Sequence, residues 1–182
     1  MASAVIYGSR SGSGNQPVTR RLPEKATQTF LMGVPTKLDA TGNLVEWDGA
    51  TITGAIVGIS QEPARNRTTS GVPQLVNPLT ISVANQPNSV VIALPPFDDG
   101  KLGIYNNIND TYFWGQVGPS QLAANAVIGG QYGLTKDTDG HWYVDLTKAT
   151  PGTNTVLTVT QPDDFDPRGV FFQFLGSSVQ PQ

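Results

Sequence analysis

Apolar and polar residues alternate in short runs along this chain, rich in β-branched side chains and broken by turn residues every few positions. The runs predict strands at 3–7, 29–32, 36–38, 44–47, 52–59, 79–84 and 89–94, then at 102–105, 111–117, 131–134, 141–146, 155–160 and 170–175. Between them stand Asp39-Ala40-Thr41-Gly42, Trp47-Asp48-Gly49 and Gln61-Glu62-Pro63. These residue types supply positive φ, local side-chain hydrogen bonds or a fixed proline φ. Only Pro119-Ser120-Gln121-Leu122-Ala123-Ala124-Asn125-Ala126 reads as helical, and it is too short to stand without tertiary packing.

One pattern occurs twice. A glycine-led hairpin turned by Asp and Gly runs from Gly33 to Val45 through Asp39 and Gly42, and again from Gly130 to Val144 through Asp137 and Gly140. The fold class is therefore all-β: a short-stranded sandwich or barrel body carrying an extended N-terminal arm. The arm takes residues 1–28, where Gly8-Ser9-Arg10-Ser11-Gly12-Ser13-Gly14 makes a flexible run. The turn-rich Pro95-Pro96-Phe97-Asp98-Asp99-Gly100 divides the rest into a first β subdomain, 29–100, and a second, 101–182, that holds the helical turn. One continuous sandwich is equally permitted. Residues 64–78, polar and without apolar period, read as an exposed loop suited to contact.

Composition sharpens this picture. Glycine and proline number 20 and 14, so 34 of 182 residues favour turning, well above the usual share of about 12%. With no cysteine, disulfides, thiolate metal sites and cysteine nucleophiles are excluded. Net charge is −3, divided unevenly: Arg10, Arg20, Arg21 and Lys25 against Glu24 give residues 1–25 a charge of +3, and the remainder carries −6. An acidic body without a basic face argues against nucleic acid as a partner. No apolar run is long enough for a membrane span, and the first residues lack the pattern of a signal peptide. The expectation is a protein off the membrane and outside the usual secretory route.

Candidate chemistry is sparse. His141 is the sole histidine, with no nucleophile context around it. Asp137-Thr138-Asp139-Gly140 opens like a calcium loop, but its fifth position is His141 and its twelfth is Lys148, so a hairpin turn explains it better. Asp163-Asp164-Phe165-Asp166-Pro167, bracketed by Pro162, reads as a solvated acidic turn. The glycine-serine run lacks the Gly-Lys-Ser/Thr ending of a phosphate loop. Trp47, Trp114 and Trp142, with Tyr112, Phe113 and Tyr143, read first as core and second as a glycan-stacking platform. No catalytic residue, metal or cofactor is expected, and the chain is read as no enzyme.

The stretch from Thr29-Phe30-Leu31-Met32-Gly33-Val34-Pro35 through Trp47-Asp48-Gly49 to Gly58-Ile59-Ser60-Gln61-Glu62-Pro63 resembles the opening of capsid decoration (cement) proteins of tailed bacteriophages. Gly129-Gly130-Gln131-Tyr132-Gly133-Leu134-Thr135, Gly140-His141-Trp142-Tyr143-Val144-Asp145 and Gly169-Val170-Phe171-Phe172-Gln173-Phe174-Leu175 are similar to the remainder of such chains. The resemblance implies a head-stabilising structural protein made in the host cytoplasm and bound to the outer capsid surface of the virion. It also implies a homo-oligomer, dimer or trimer, that reinforces joints between major capsid subunits. On that reading the basic residues Arg10, Arg20, Arg21, Lys25, Arg65 and Arg67 are the expected contacts with carboxylates of the major capsid protein. Removal of residues 1–25 should then abolish capsid binding and leave the body folded. The alternative from the same residues is a receptor- or glycan-binding head-fibre or tail module using Trp114 and Trp142.

Overall fold

The computed structural model describes residues 7–11, 18–71, 74–75, 97–106, 108 and 110–180. The strand candidates at 79–84 and 89–94 lie outside them. The fold is all-β, built from two antiparallel sheets packed on a common core. The first sheet holds β2 (Thr19–Pro23), β3 (Pro35–Leu38), β4 (Leu44–Glu46), β5 (Gly58–Ser60) and β8 (Lys101–Tyr105) in the order β2-β8-β5-β3-β4. The second holds β1 (Tyr7–Ser11), β9 (Thr111–Gln116), β10 (Gln131–Lys136), β11 (Trp142–Asp145), β12 (Leu157–Pro162) and β13 (Gly169–Phe174) in the order β1-β9-β13-β12-β10-β11. A short ribbon pairs β6 (Gln74–Leu75) with β7 (Phe97–Asp98).

With β1 set aside, the two sheets trace one path twice. In each unit the first strand pairs with the fifth, the fifth with the fourth, the fourth with the second and the second with the third. Backbone bonds repeat as well. Glu24 N donates to Gly100 O and Val117 N to Arg168 O; Lys25 N donates to Leu44 O and Gly118 N to Val144 O. Parallel bridges Glu24↔Leu44 and Val117↔Val144 curl each sheet, so that its first strand meets its third. Gly33 N on Ser60 O matches Gly129 N on Val159 O, and both glycines sit at φ 79°, the left-handed region glycine adopts without strain.

The two hairpins seen in the sequence occupy equivalent positions, β3–β4 and β10–β11. Their turns share one construction. Asp39 Oδ1 accepts from the amides of Thr41 and Asn43, and Asp137 Oδ1 from those of Asp139 and His141. Aspartate thus satisfies the turn amides while Gly42 and Gly140 take positive φ, which is why this residue pair recurs.

Phe113, Phe172 and Phe174 form an aromatic nucleus at centroid distances of 5.5–6.1 Å in the second unit, and Val34, Leu44, Ile59, Leu102 and Ile104 fill the first. Each unit lends a segment to the other. β1 pairs with β9, and at the far end Gly54 N and Ala55 N donate to Ser177 O and Ser178 O while Gln180 N donates to Ile56 O.

Several expectations differ from this. Residues 19–28 belong to the first unit, with β2 a sheet edge and Glu24 fully buried, so they are no arm. The break expected at 100 falls one strand early, because β8 lies between β2 and β5. Residues 29–32 form no strand: Phe30 anchors them in the core while Leu31 and Met32 point outward. Of 52–59 only the end is strand, since Gly54 at φ 58° bends the run. The helical stretch contracts to a single 3₁₀ turn at Ala123–Asn125.

Candidate functional site

Of the basic residues expected to reach outward, Arg67 is buried, whereas Arg21, Lys25 and Arg65 are exposed and form surface ion pairs. Arg67 is 2% exposed; its Nε donates to Glu24 Oε2 at 2.6 Å and its Nη2 to Lys101 O at 3.0 Å, inside the end of the first unit. It cannot meet a capsid carboxylate. Arg21 donates to both oxygens of Asp99 at 2.9 Å and to Glu62 at 3.1 Å, while Arg65 meets the other Glu62 oxygen at 2.5 Å. Asp99 is held well below the usual carboxylate range by the Arg21 hydrogen bond above all. Burial pushes Glu62 up, but the Gly103 amide and the Arg65 and Arg21 guanidiniums outweigh it and leave its pKa lowered. Lys25 pairs with Asp39 at 3.3 Å. Arg20 stands exposed on β2 opposite Ile104, and Arg10 is placed by its backbone in β1 opposite Tyr112.

This network also changes the reading of the 64–78 loop. Its first part is pinned down by Ala64 N on Phe30 O, Asn66 N on Gln28 O and Gly71 N on Glu24 O. It closes the end of the first unit through Arg67 while Arg65, Asn66, Thr68 and Thr69 stay exposed. Residues 72–73 and 76–78 lie outside the described residues.

Where the units meet, Trp47 and Trp142 lie 5.2 Å apart between centroids, and Glu46 accepts from Trp142 Nε1 and from Lys136 Nζ, each at 2.8 Å. Beside them is a cleft of about 470 Å³ lined by Phe30, Leu31, Glu46, Lys136, Asp137 and Asp139 among others. Trp142 is 5% exposed, so it offers no stacking platform for a sugar. Trp114 is half-buried with its indole N–H donated to Asp163 at 2.7 Å.

Asp137, Asp139 and His141 bring possible metal-ligand atoms within 4.8 Å of one another. The turn explains this convergence, since Asp137 already accepts two backbone amides and its other oxygen lies 3.5 Å from His141 Nδ1.

A different surface has the character of a docking site, and sequence reasoning passed over it. The turn from β12 to β13 displays Phe165 at 97% exposure. Two of its three aspartates face inward. Asp163 accepts from Trp114 Nε1 and from the Phe165 amide at 2.9 Å, and Asp166 accepts from Gln116 Nε2 at 2.7 Å and the Arg168 amide at 2.8 Å. The Arg168 amide and Gln116 hold Asp166 below its ordinary pKa. Asp164 is left exposed beside the ring. Ala123 N donates to Pro167 O, which fastens the neighbouring 118–130 segment to this turn. That segment exposes Leu122 at 53%, Val127 at 65% and Ile128 at 67%, and no charged residue occurs between Val117 and Lys136. The signal available in sequence was that uncharged run, with a phenylalanine set among aspartates. In comparisons with known proteins the chain matches no protein-family model, no curated protein and no solved structure.

Proposed function

We propose that this chain is a decoration protein of a tailed-phage head, a structural component that docks on the outer face of the major capsid protein and turns over no substrate. The observation that carries the reading is the rigid display of Phe165. Its turn is fixed by four hydrogen bonds to Asp163 and Asp166, so little conformational freedom is left to lose on binding. An exposed aromatic on a fixed support has the character of an interface anchor. The resemblance of residues 29–63 and 129–175 to decoration proteins supplies the partner. Asp164 beside the ring favours a capsid pocket rimmed by Lys or Arg.

Contact through the Phe165 turn replaces the expected grip by Arg67, whose guanidinium is buried against Glu24, and does not call on Arg21 and Arg65, which pair at the surface with Glu62 and Asp99. It also changes the deletion test, because loss of residues 1–25 removes β2 and strands the buried Arg67. The informative variant is Phe165→Ala, which removes an exposed ring and leaves the fold intact. Purified heads lacking the protein should bind the wild-type chain at regular lattice positions seen by electron cryomicroscopy. Phe165→Ala should bind about thirtyfold more weakly, the scale of a hot-spot residue. Heads that do not take up the wild-type chain would overturn the functional reading; equal uptake of both forms would remove Phe165 from it.

A further inference from the structure

We propose that copies of this chain associate head to tail, the β3–β4 hairpin of one copy seating on the Val127–Ile128 face of the next. The template is the contact already made inside each molecule. There the turn of the β10–β11 hairpin lies on the first unit: a Cβ at Gly140 would stand 3.7 Å from Leu31 Cδ1, Lys136 pairs with Glu46, and Trp142 lies on Trp47.

The internal repeat specifies which surfaces are equivalent. Leu31 and Met32 directly precede Gly33, and Val127 and Ile128 directly precede Gly129; the two glycines share their φ and their hydrogen bond to the fourth strand of the unit. Val127 and Ile128 therefore hold, in the second unit, the place that receives a hairpin in the first. The exposures follow. Leu31 and Met32 are 38% and 43% exposed, Val127 and Ile128 65% and 67%.

The matching hairpin is bare too. Ala40, Thr41 and Gly42 are exposed, and a Cβ at Gly42 would meet nothing within 4 Å. Leu38 precedes Asp39 just as Lys136 precedes Asp137, so the position that makes an ion pair on the seated hairpin is held on the other by an apolar side chain that packs against the core. Ala40 and the exposed tip of the turn would then meet Val127 and Ile128, while Asp39 keeps Lys25 as its partner. Because one hairpin is seated while its equivalent is free, the contact joins unlike surfaces. Such contacts propagate from copy to copy until a ring closes.

The inference is independent of any capsid and is tested on the purified full chain. Sedimentation over about 1–100 µM, the range of an ordinary reversible contact, should give species larger than the monomer. Val127→Glu and, separately, Ala40→Lys should each weaken association by about tenfold or more, because each puts a charge into an apolar contact. Both sites are solvent-exposed, so melting temperature should not change. Mixed in equal amounts, the two variants should associate again, since each keeps one native surface and the altered pair is of opposite charge. A wild-type chain that stays monomeric, or association unchanged in either variant, would overturn the proposal.

Discussion

Replacing Arg67 by Met removes the cation from a carboxylate that has no access to water. Glu24 and the Arg67 side chain are 0% and 1% exposed; among the described residues Glu24 is left with the Arg65 amide at 2.8 Å on its other oxygen. Breaking a buried pair from one side costs about 3–5 kcal/mol, a large fraction of the roughly 5–15 kcal/mol that holds a domain together. With a urea slope of about 2 kcal/mol/M, the unfolding midpoint should fall by about 1.5–2.5 M. The second unit indicates how the site tolerates having no charge at all. Val117, fully buried, occupies there the position of Glu24. The double variant Glu24→Val with Arg67→Met should therefore recover to within about 1–2 kcal/mol of wild type, the remainder reflecting the Arg65 amide, which loses its Glu24 acceptor, since the Lys101 carbonyl keeps Arg21. Glu24→Val alone should be as damaging as Arg67→Met alone. A single-variant loss below about 1 kcal/mol, or a double-variant loss equal to the sum of the singles, would refute the argument.

Acid should destabilise the fold over a defined window. The Thr41 hydroxyl and the Asn43 amide hold Asp39 at about 2, and the Lys37 ammonium and the Ala50 amide hold Asp48 at about 2, against 3.8 for an ordinary aspartate. The unfolded chain takes up these protons first, so the stabilisation is intact above about pH 4 and is lost as pH falls towards about 2. Melting temperature followed from pH 7 to pH 2 should show that shape, and Asp48→Asn should flatten it; an Asp48→Asn slope identical to wild type would contradict it. Trp142→Phe removes the indole donor to Glu46 and part of the contact with Trp47. Because Glu46 keeps Lys136, the loss should be about 1–2 kcal/mol, read as a melting temperature lower by about 2–8 °C; an unchanged value would show that the seam between the units contributes little.

What could be read from the chain was local. Asp39 with Gly42, and Asp137 with Gly140, announce their hairpins because the turn needs an acceptor at its start and positive φ near its end, all within five residues. The repeat beyond those hairpins was hidden, since Glu24 and Val117 fill one position with opposite chemistry. β2 escaped notice because Thr19-Arg20-Arg21-Leu22-Pro23 carries the charge and proline by which an edge strand avoids further pairing. Arg67 was misread as outward-facing, and the ion pairs of Arg21 were missed, for a related reason. The carboxylate of Arg67 lies 43 residues away in sequence, and those of Arg21 lie 41 and 78 away, brought near only by the sheet. Phe165 sits in a stretch that reads correctly as a turn, but no sequence pattern says that its ring faces water.

Two borrowed ends bind the halves. The leading strand crosses to complete the later sheet, and the closing residues cross back to lie along Ile56. Protease cleavage in the connection between β8 and β9 would therefore leave the fragments clasped like linked hands. Removing β1 or residues 177–180 would loosen both halves at once, which makes these two crossing segments, rather than the connection between the halves, the vulnerable points.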